Sequence, residues 1–134
     1  MYGHLKAAVE ELASALEARG QKVSVFDLAR DDMAEAVEDA FRYDRLVLAS
    51  ITYQGEIFPF MSTFIHTLAE HAYQNRTVAL VEGGSWAPAA AKVMTKELEG
   101  MKDITLAHNK VTVLGSLNDA SRAQIEALAD ELSK

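Results

Sequence analysis

Cysteine is missing from the 134-residue sequence. With it go disulfides, thiolate metal sites and cysteine nucleophiles. Basic residues are the minority: 13 Lys and Arg against 20 Asp and Glu give a formal net charge of −7. Such a surface has no basic stripe for a phosphodiester backbone, so nucleic acid is not an expected partner. No apolar run approaches the roughly 18 residues of a membrane span. The N-terminus has no charged stretch leading into an apolar one, so neither a membrane segment nor a signal peptide is expected, and the expected compartment is the cytoplasm. Proline occurs twice, at Pro59 and Pro88, and tryptophan once, at Trp86. Repeats, low-complexity tracts and linkers are also lacking, and the length suits one domain, 1–134, around one core.

Helical and extended patterns alternate along the chain, which predicts an α/β domain with a mainly parallel sheet. Leu5, Ala8, Val9, Leu12 and Leu16 share one helical face, and Gly20 suits the stop. Residues 22–28 alternate as a short strand. Met33, Val37, Ala40 and Phe41 mark the inner face of a second helix, for which Asp32 and Glu35 resemble a capping box. The run 46–50 reads as a buried strand. A helix opens after it near Pro59, with Phe60, Phe64 and Leu68 turned inward. The run 77–81 is a second buried strand, broken by Gly83 and Gly84. Pro88 opens the next helix, which carries Val93, Met94 and Leu98 and ends near Gly100. Residues 104–114 form a last strand region. Asn118 or Asp119 caps a final helix with Ile125, Leu128, Ala129 and Leu132 on its buried stripe.

Strands buried on both faces read as continuous apolar runs, and half-exposed strands alternate. By that test 46–50 and 77–81 are interior, and 22–28 and 105–114 lie at or near edges. In the doubly wound order 2-1-3-4-5 these four segments correspond to strands two to five. Strand one, the central strand, is then missing, which leaves residues 22–28 to pair with 46–50 directly or with another chain.

Three loops are expected at the carboxyl ends of the strands, where such sheets bind ligands. Met1-Tyr2-Gly3-His4-Leu5 leads straight into a helix, whose free N–H groups and dipole favour an anion. Ile51–Phe58 sets an aromatic among small polar residues, a means of covering a flat ring and bonding its edge. Glu82-Gly83-Gly84-Ser85-Trp86-Ala87 lets backbone approach a ligand closely and carries the single tryptophan.

Together these loops resemble the flavodoxin-like domain of flavodiiron proteins, the A-type flavoproteins. That family has a Ser/Thr-Met-Tyr-Gly-Asn/His-Thr phosphate loop, which Met1-Tyr2-Gly3-His4 matches. Its loop after strand three, Ser-Pro-Thr-Tyr/Leu-Asn-Gly/Asn-Gly-x-Phe-Pro, is matched closely by Ser50-Ile51-Thr52-Tyr53-Gln54-Gly55-Glu56-Ile57-Phe58-Pro59. Its Gly-Ser-Tyr-Gly-Trp loop is matched loosely by residues 82–87. The resemblance implies a flavodoxin-like three-layer α/β/α sandwich that lacks its first β-strand. It implies flavin mononucleotide (FMN) as cofactor and electron transfer as function, with oxidoreductase activity only as part of a larger protein. Backbone groups of Tyr2, Gly3, His4 and Leu5 would hold the phosphate. Thr52, Tyr53, Gln54 and Gly55 would contact the ring, and Gly83, Gly84, Ser85 and Trp86 would close its other side. Electrons would enter from a rubredoxin or reductase and pass to a diiron domain elsewhere.

The sequence departs from that pattern at Leu5, where the family usually has Thr. It also places Glu56 and Glu82 near the expected ring, where negative charge opposes a phosphate or a reduced flavin. The alternative is a flavodoxin-like remnant without FMN that serves as a homo-oligomerising or partner-binding module. A phosphoacceptor receiver domain has the same strand order but needs Asp where Ser50 stands. His66 and His71, five apart on one helix, fall on different faces and make no ligand pair. Walker and Gly-x-Ser-x-Gly motifs are absent.

Overall fold

Residues 2–28, 31–43, 45–53, 56–57, 59–84, 90–99, 101–114 and 118–133 are described by the structure, a computed structural model. For residues 2–4, 51–53, 56–57, 59, 84 and 114 the description is of the backbone.

The first helix, α1 (Tyr2–Ala18), buries Leu5, Ala8, Leu12, Ala15 and Leu16. It stops at Gly20, whose φ of 83° costs a residue without Cβ little. There the N–H of Gly20 donates to the Glu17 carbonyl and that of Gln21 to the Leu16 carbonyl, both at 3.0 Å. These are the paired bonds of a Schellman stop. Helix α2 (Met33–Arg42) is capped by the Asp32 carboxylate, which accepts the Ala34 N–H, two residues on rather than the three of a capping box. Ala36 and Ala40 lie deepest on it, with Met33, Val37 and Phe41 beside them.

Strand β1 (Arg45–Tyr53) turns back into the short β2 (Glu56–Ile57), and α3 begins at Pro59 (Pro59–Glu70). Strand β3 (Arg76–Gly84), α4 (Ala90–Leu98), β4 (Ile104–Leu106), β5 (Val111–Leu114) and α5 (Asp119–Leu132) follow. Asn118 and Ser121 cap α5 reciprocally: each side chain accepts the other's backbone N–H, both at 3.0 Å.

The sheet runs in the order β2-β1-β3-β4, with β5 also on β3. Strands β1 and β3 are parallel from Arg45↔Thr77 to Ile51↔Gly83. Strands β4 and β5 pair with successive stretches of β3, so 104–114 is one edge strand interrupted in its middle. Side chains alternate along β3. Val78 and Leu80 face α2, α3 and α4, and Ala79 and Val81 face α1 and α5. The molecule is therefore three layers: α1 and α5, the sheet, then α2, α3 and α4.

Three expectations are corrected. Residues 22–28 form no strand. Val23 packs toward the α1/α5 side and Phe26 and Leu28 toward the other, while Val25 is 54 % exposed. The pattern is that of a strand, but no ladder partner lies beside it among the described residues. For the same reason β1 is less interior than β3. Leu46, Val47 and Ala49 are half-buried, whereas 78–83 are buried throughout. Finally, Phe60 is 45 % exposed: Phe64 and Leu68 are buried as expected, and Met61 and Ile65 rather than Phe60 complete the buried face of α3.

Arg76, the first residue of β3, closes the carboxyl end of α2. Its guanidinium donates to the carbonyls of Phe41 and Tyr43, both at 3.0 Å, and lies 5.2 Å from the centre of the Tyr73 ring. Buried Tyr73 meets Phe41 edge to face at 5.1 Å.

Candidate functional site

The carboxyl ends of the parallel strands lie side by side. The last β1/β3 pair is Ile51↔Gly83, and the last β3/β5 pair is Gly84↔Leu114. Past Ile51, β1 outruns its partner and folds back, pairing Thr52↔Ile57 and Tyr53↔Glu56. The returning β2 rests against α4. Thr52 and Tyr53 thus stand at the same end of the sheet as Gly83 and Gly84.

The start of α1 reaches this rim too. Helix α5 begins just beyond the end of β5, so its N-terminus is at the rim. Helix α1 runs alongside in the same direction: Arg122 pairs with Glu11 at 3.3 Å, and Asp130 with Arg19 at 2.8 Å. That offset sets Ala8 beside Asp119, the start of α5, so the first turn of α1, residues 2–4, stands about 6–9 Å further out on the same side of the rim. The turn contains no acidic residue, so its positive end is not neutralised from within. Leu5, the next residue, is a core side chain packed on the α1/α5 side of the sheet, and only its backbone belongs to the helix start. Gln54, Gly55, Ser85 and Trp86 lie outside the described residues.

The residue that the sequence reading placed here only as an unfavourable charge is Glu82. It is 3 % exposed, on the face of β3 shared with Val78 and Leu80. One carboxylate oxygen accepts the Ala91 N–H, in the first turn of α4, at 3.1 Å. The other accepts the Thr112 hydroxyl at 2.9 Å and lies 3.1 Å from the Lys110 ammonium. The negative charge is answered by a cation, a hydroxyl and a helix N-terminus, so it does not confront the rim as a bare anion. Lys110 and Thr112 were not legible as partners: they lie beyond a helix in sequence and belong to no motif.

Glu56, named above as a charge near the expected ring, also stands at this rim, where β2 pairs it with Tyr53. His66 is exposed, 3.6 Å from Glu97, which also accepts the Ser62 hydroxyl at 2.8 Å, and His71 is exposed at the end of α3. Among the described residues no group of three or more His, Asp or Glu could hold a metal ion, and no helix is long and apolar enough to cross a membrane.

The fold is flavodoxin-like. The chain superposes on the rubredoxin oxygen:oxidoreductase of the anaerobe Desulfovibrio gigas with a TM-score of 0.91 and 16 % identity, over 99 % of this chain and 33 % of that one. A flavodoxin from the domain Archaea superposes with a TM-score of 0.85 and 16 % identity, over 99 % of this chain and 90 % of that one. A variant of the flavo di-iron protein from Thermotoga maritima gives 0.82 and 22 %, over 98 % and 33 %. The chain thus spans about a third of the Desulfovibrio and Thermotoga proteins and most of the archaeal flavodoxin. No protein-family model matches the chain, and no curated protein matches it in sequence.

Proposed function

We propose that this chain is an FMN-binding electron-transfer domain of the kind found in flavodiiron proteins. The observation that carries the reading is the meeting of three segment ends at one rim. These are the dipole-positive start of α1 at residues 2–4, the β1 end at Thr52 and Tyr53, and the β3 end at Gly83 and Gly84. The described residues fit the cofactor: α1 offers N–H groups with no competing carboxylate in its first turn, and Glu82 is neutralised by Lys110.

In this reading, backbone N–H groups of Tyr2, Gly3, His4 and Leu5 bind the phosphate. Thr52, Tyr53, Gln54 and Gly55 orient the ring and bond its polar edge. Gly83 and Gly84 let backbone approach, and Ser85 and Trp86 cover the ring and exclude water. Bound FMN would supply electron-transfer chemistry, and the protein positions and tunes it. In this reading, as the resemblance to flavodiiron proteins implies, electrons arrive from a rubredoxin or reductase and leave to a diiron domain. Incubating the purified chain with excess FMN and desalting it tests the proposal. A yellow protein with quenched flavin fluorescence is expected. A colourless one ends the reading.

The outer edge of β1 favours a second reading, a module that binds a partner or a second copy. Across Leu46–Ala49 no strand pairs there among the described residues, and residues 22–28 form no strand. Such an edge is a template for another strand. Light scattering over a hundredfold range of concentration would show a doubled mass if this reading holds, and a constant monomer mass if it does not.

A further inference from the structure

The edge strand 104–114 uses its backbone donors in two ways. The Ala107 N–H turns into the sheet and donates to the Val78 carbonyl of β3 at 2.9 Å. Three others go to side chains of α5 instead. The Glu131 carboxylate accepts those of His108 at 2.7 Å and Asn109 at 2.9 Å. The Gln124 side-chain carbonyl accepts that of Thr112 at 2.8 Å.

Spacing lets one helix do this. Gln124 and Glu131 are seven apart, so they share a face of α5, separated by about 10 Å of rise. Asn109 and Thr112 are three apart near an extended edge, also about 10 Å. The earlier acceptor meets the later donor, so α5 runs antiparallel to the edge that it covers.

Donors along the outer side of a sheet are what another strand would pair with. These three are already bonded, two of them to a charged oxygen. Glu131 is held in place besides by the Asn109 side-chain amide at 2.9 Å, and Gln124 stands next to buried Ile125. An incoming strand would exchange charge-assisted bonds for weaker neutral ones. The rest of this edge, β4, is three residues long, too short a template for a ladder. The outer side of β1 differs, with no strand paired along Leu46–Ala49 among the described residues. Two accepting edges would let copies add without end, whereas one is used up in a twofold dimer.

We infer that Gln124 and Glu131 are a guard. They close the β4–β5 edge to strand addition, which confines strand-mediated association of this chain to β1 and stops it at a dimer. The dimer limit rests on the second reading above, but the guard does not.

The test compares the full chain with the double variant Gln124→Ala/Glu131→Ala. Ile125→Val, which trims the buried face of α5 and keeps both acceptors, serves as control. At low concentration the amides of His108, Asn109 and Thr112 are expected to exchange about tenfold faster in the double variant, the effect of one lost hydrogen bond at each. Light scattering over a hundredfold range of concentration should then find it one association step beyond the wild type. It dimerises where the wild type is a monomer, and its mass keeps rising where the wild type is a dimer. At the highest concentration the same three amides slow again under a partner strand, and the control keeps the wild-type mass. A double variant of wild-type mass at every concentration overturns the guard. So does association that leaves these amides fast, or that the control shares. A wild type whose mass grows past the dimer also overturns it. A monomeric wild type ends the second reading alone, and the double variant still decides the guard. Should the double variant fail to fold, Gln124→Ala takes its place, with the Thr112 amide and the mass expected to change in the same direction.

Discussion

Arg19, just past the end of α1, grips Asp130 on α5, Nε to Oδ1 at 2.8 Å, and its other arm reaches Glu126 at 2.7 Å. Eight residues earlier on both helices, Glu11 and Arg122 repeat the contact at 3.3 Å. Two contacts at one sequence offset fix direction and register together, and that register carries the first turn of α1 just past the start of α5 at the rim.

These pairs are solvent-exposed, so they specify more than they stabilise. The bonds to Glu126 and Asp130 raise the Arg19 guanidinium above its already high pKa, so it stays charged at every working pH. Arg19→Ala is expected to lower Tm by only a few degrees at low salt. The difference should shrink toward zero in molar salt, where the Debye length falls to about 3 Å. Thermal melts at two ionic strengths check this.

Helix α3 ends as α1 does, but with the wrong residue. The Ala72 N–H donates to the Ala69 carbonyl at 3.1 Å and the Tyr73 N–H to the Leu68 carbonyl at 3.0 Å, so Ala72 takes the place that Gly20 has at the end of α1. Its φ is 57°, the left-handed region that costs an L-residue about 1–2 kcal/mol. Ala72→Gly relieves that strain and loses some of the gain to unfolded-state entropy. A net stabilisation of about 1 kcal/mol is expected in urea unfolding.

Much of the fold was legible because helical stripes are local. Leu5, Ala8, Leu12 and Leu16, and likewise Ile125, Leu128, Ala129 and Leu132, are buried as their spacing implies. The errors arose where the answer depended on a distant neighbour. The runs 46–50 and 77–81 look alike, yet of the two only 77–81 has strands paired on both of its sides, because a run's composition does not say what lies beside it. Residues 22–28 alternate like a strand and still form none, since a strand exists only when another backbone pairs with it. On α3, Phe64 and Leu68 are buried as expected, but Phe60 is not, and Met61 and Ile65 complete the face. At the rim, glycines and helix starts could be read in advance. The environment of Glu82 could not, because Lys110 and Thr112 reach it only through the fold.

The interruption in the edge strand is held by Glu131, which makes a pH-dependent contribution. Its carboxylate accepts the backbone N–H groups of His108 at 2.7 Å and Asn109 at 2.9 Å, and the Asn109 side-chain amide at 2.9 Å. Burial pushes its pKa up, but these donors outweigh burial and hold it below the usual glutamate value. A depressed folded pKa stabilises above the unfolded pKa, about 4.3, and that stability is lost as pH falls through the folded value. Glu131→Gln should therefore cost about 1 kcal/mol at neutral pH. It should also lose less stability than the wild type as the pH is lowered below about 4.3. Urea midpoints against pH give both numbers.

A charge placed at the start of α1 separates stability from ligand binding. The first turn has no acidic residue, and carboxylates near a helix N-terminus stabilise it by about 0.3–1 kcal/mol. His4→Glu is therefore expected to raise stability by about 0.5 kcal/mol. In the FMN reading, the same carboxylate repels the phosphate dianion held at that turn, so FMN affinity falls. Riboflavin, which carries the ring without the phosphate, should bind the variant and the wild type alike. General damage to the fold would lower stability and both affinities together, and a phosphate held elsewhere would leave FMN affinity untouched. Higher stability, weaker FMN and unchanged riboflavin is a combination that only an anion site at the start of α1 produces. Urea unfolding together with the two flavin titrations supplies the measurement.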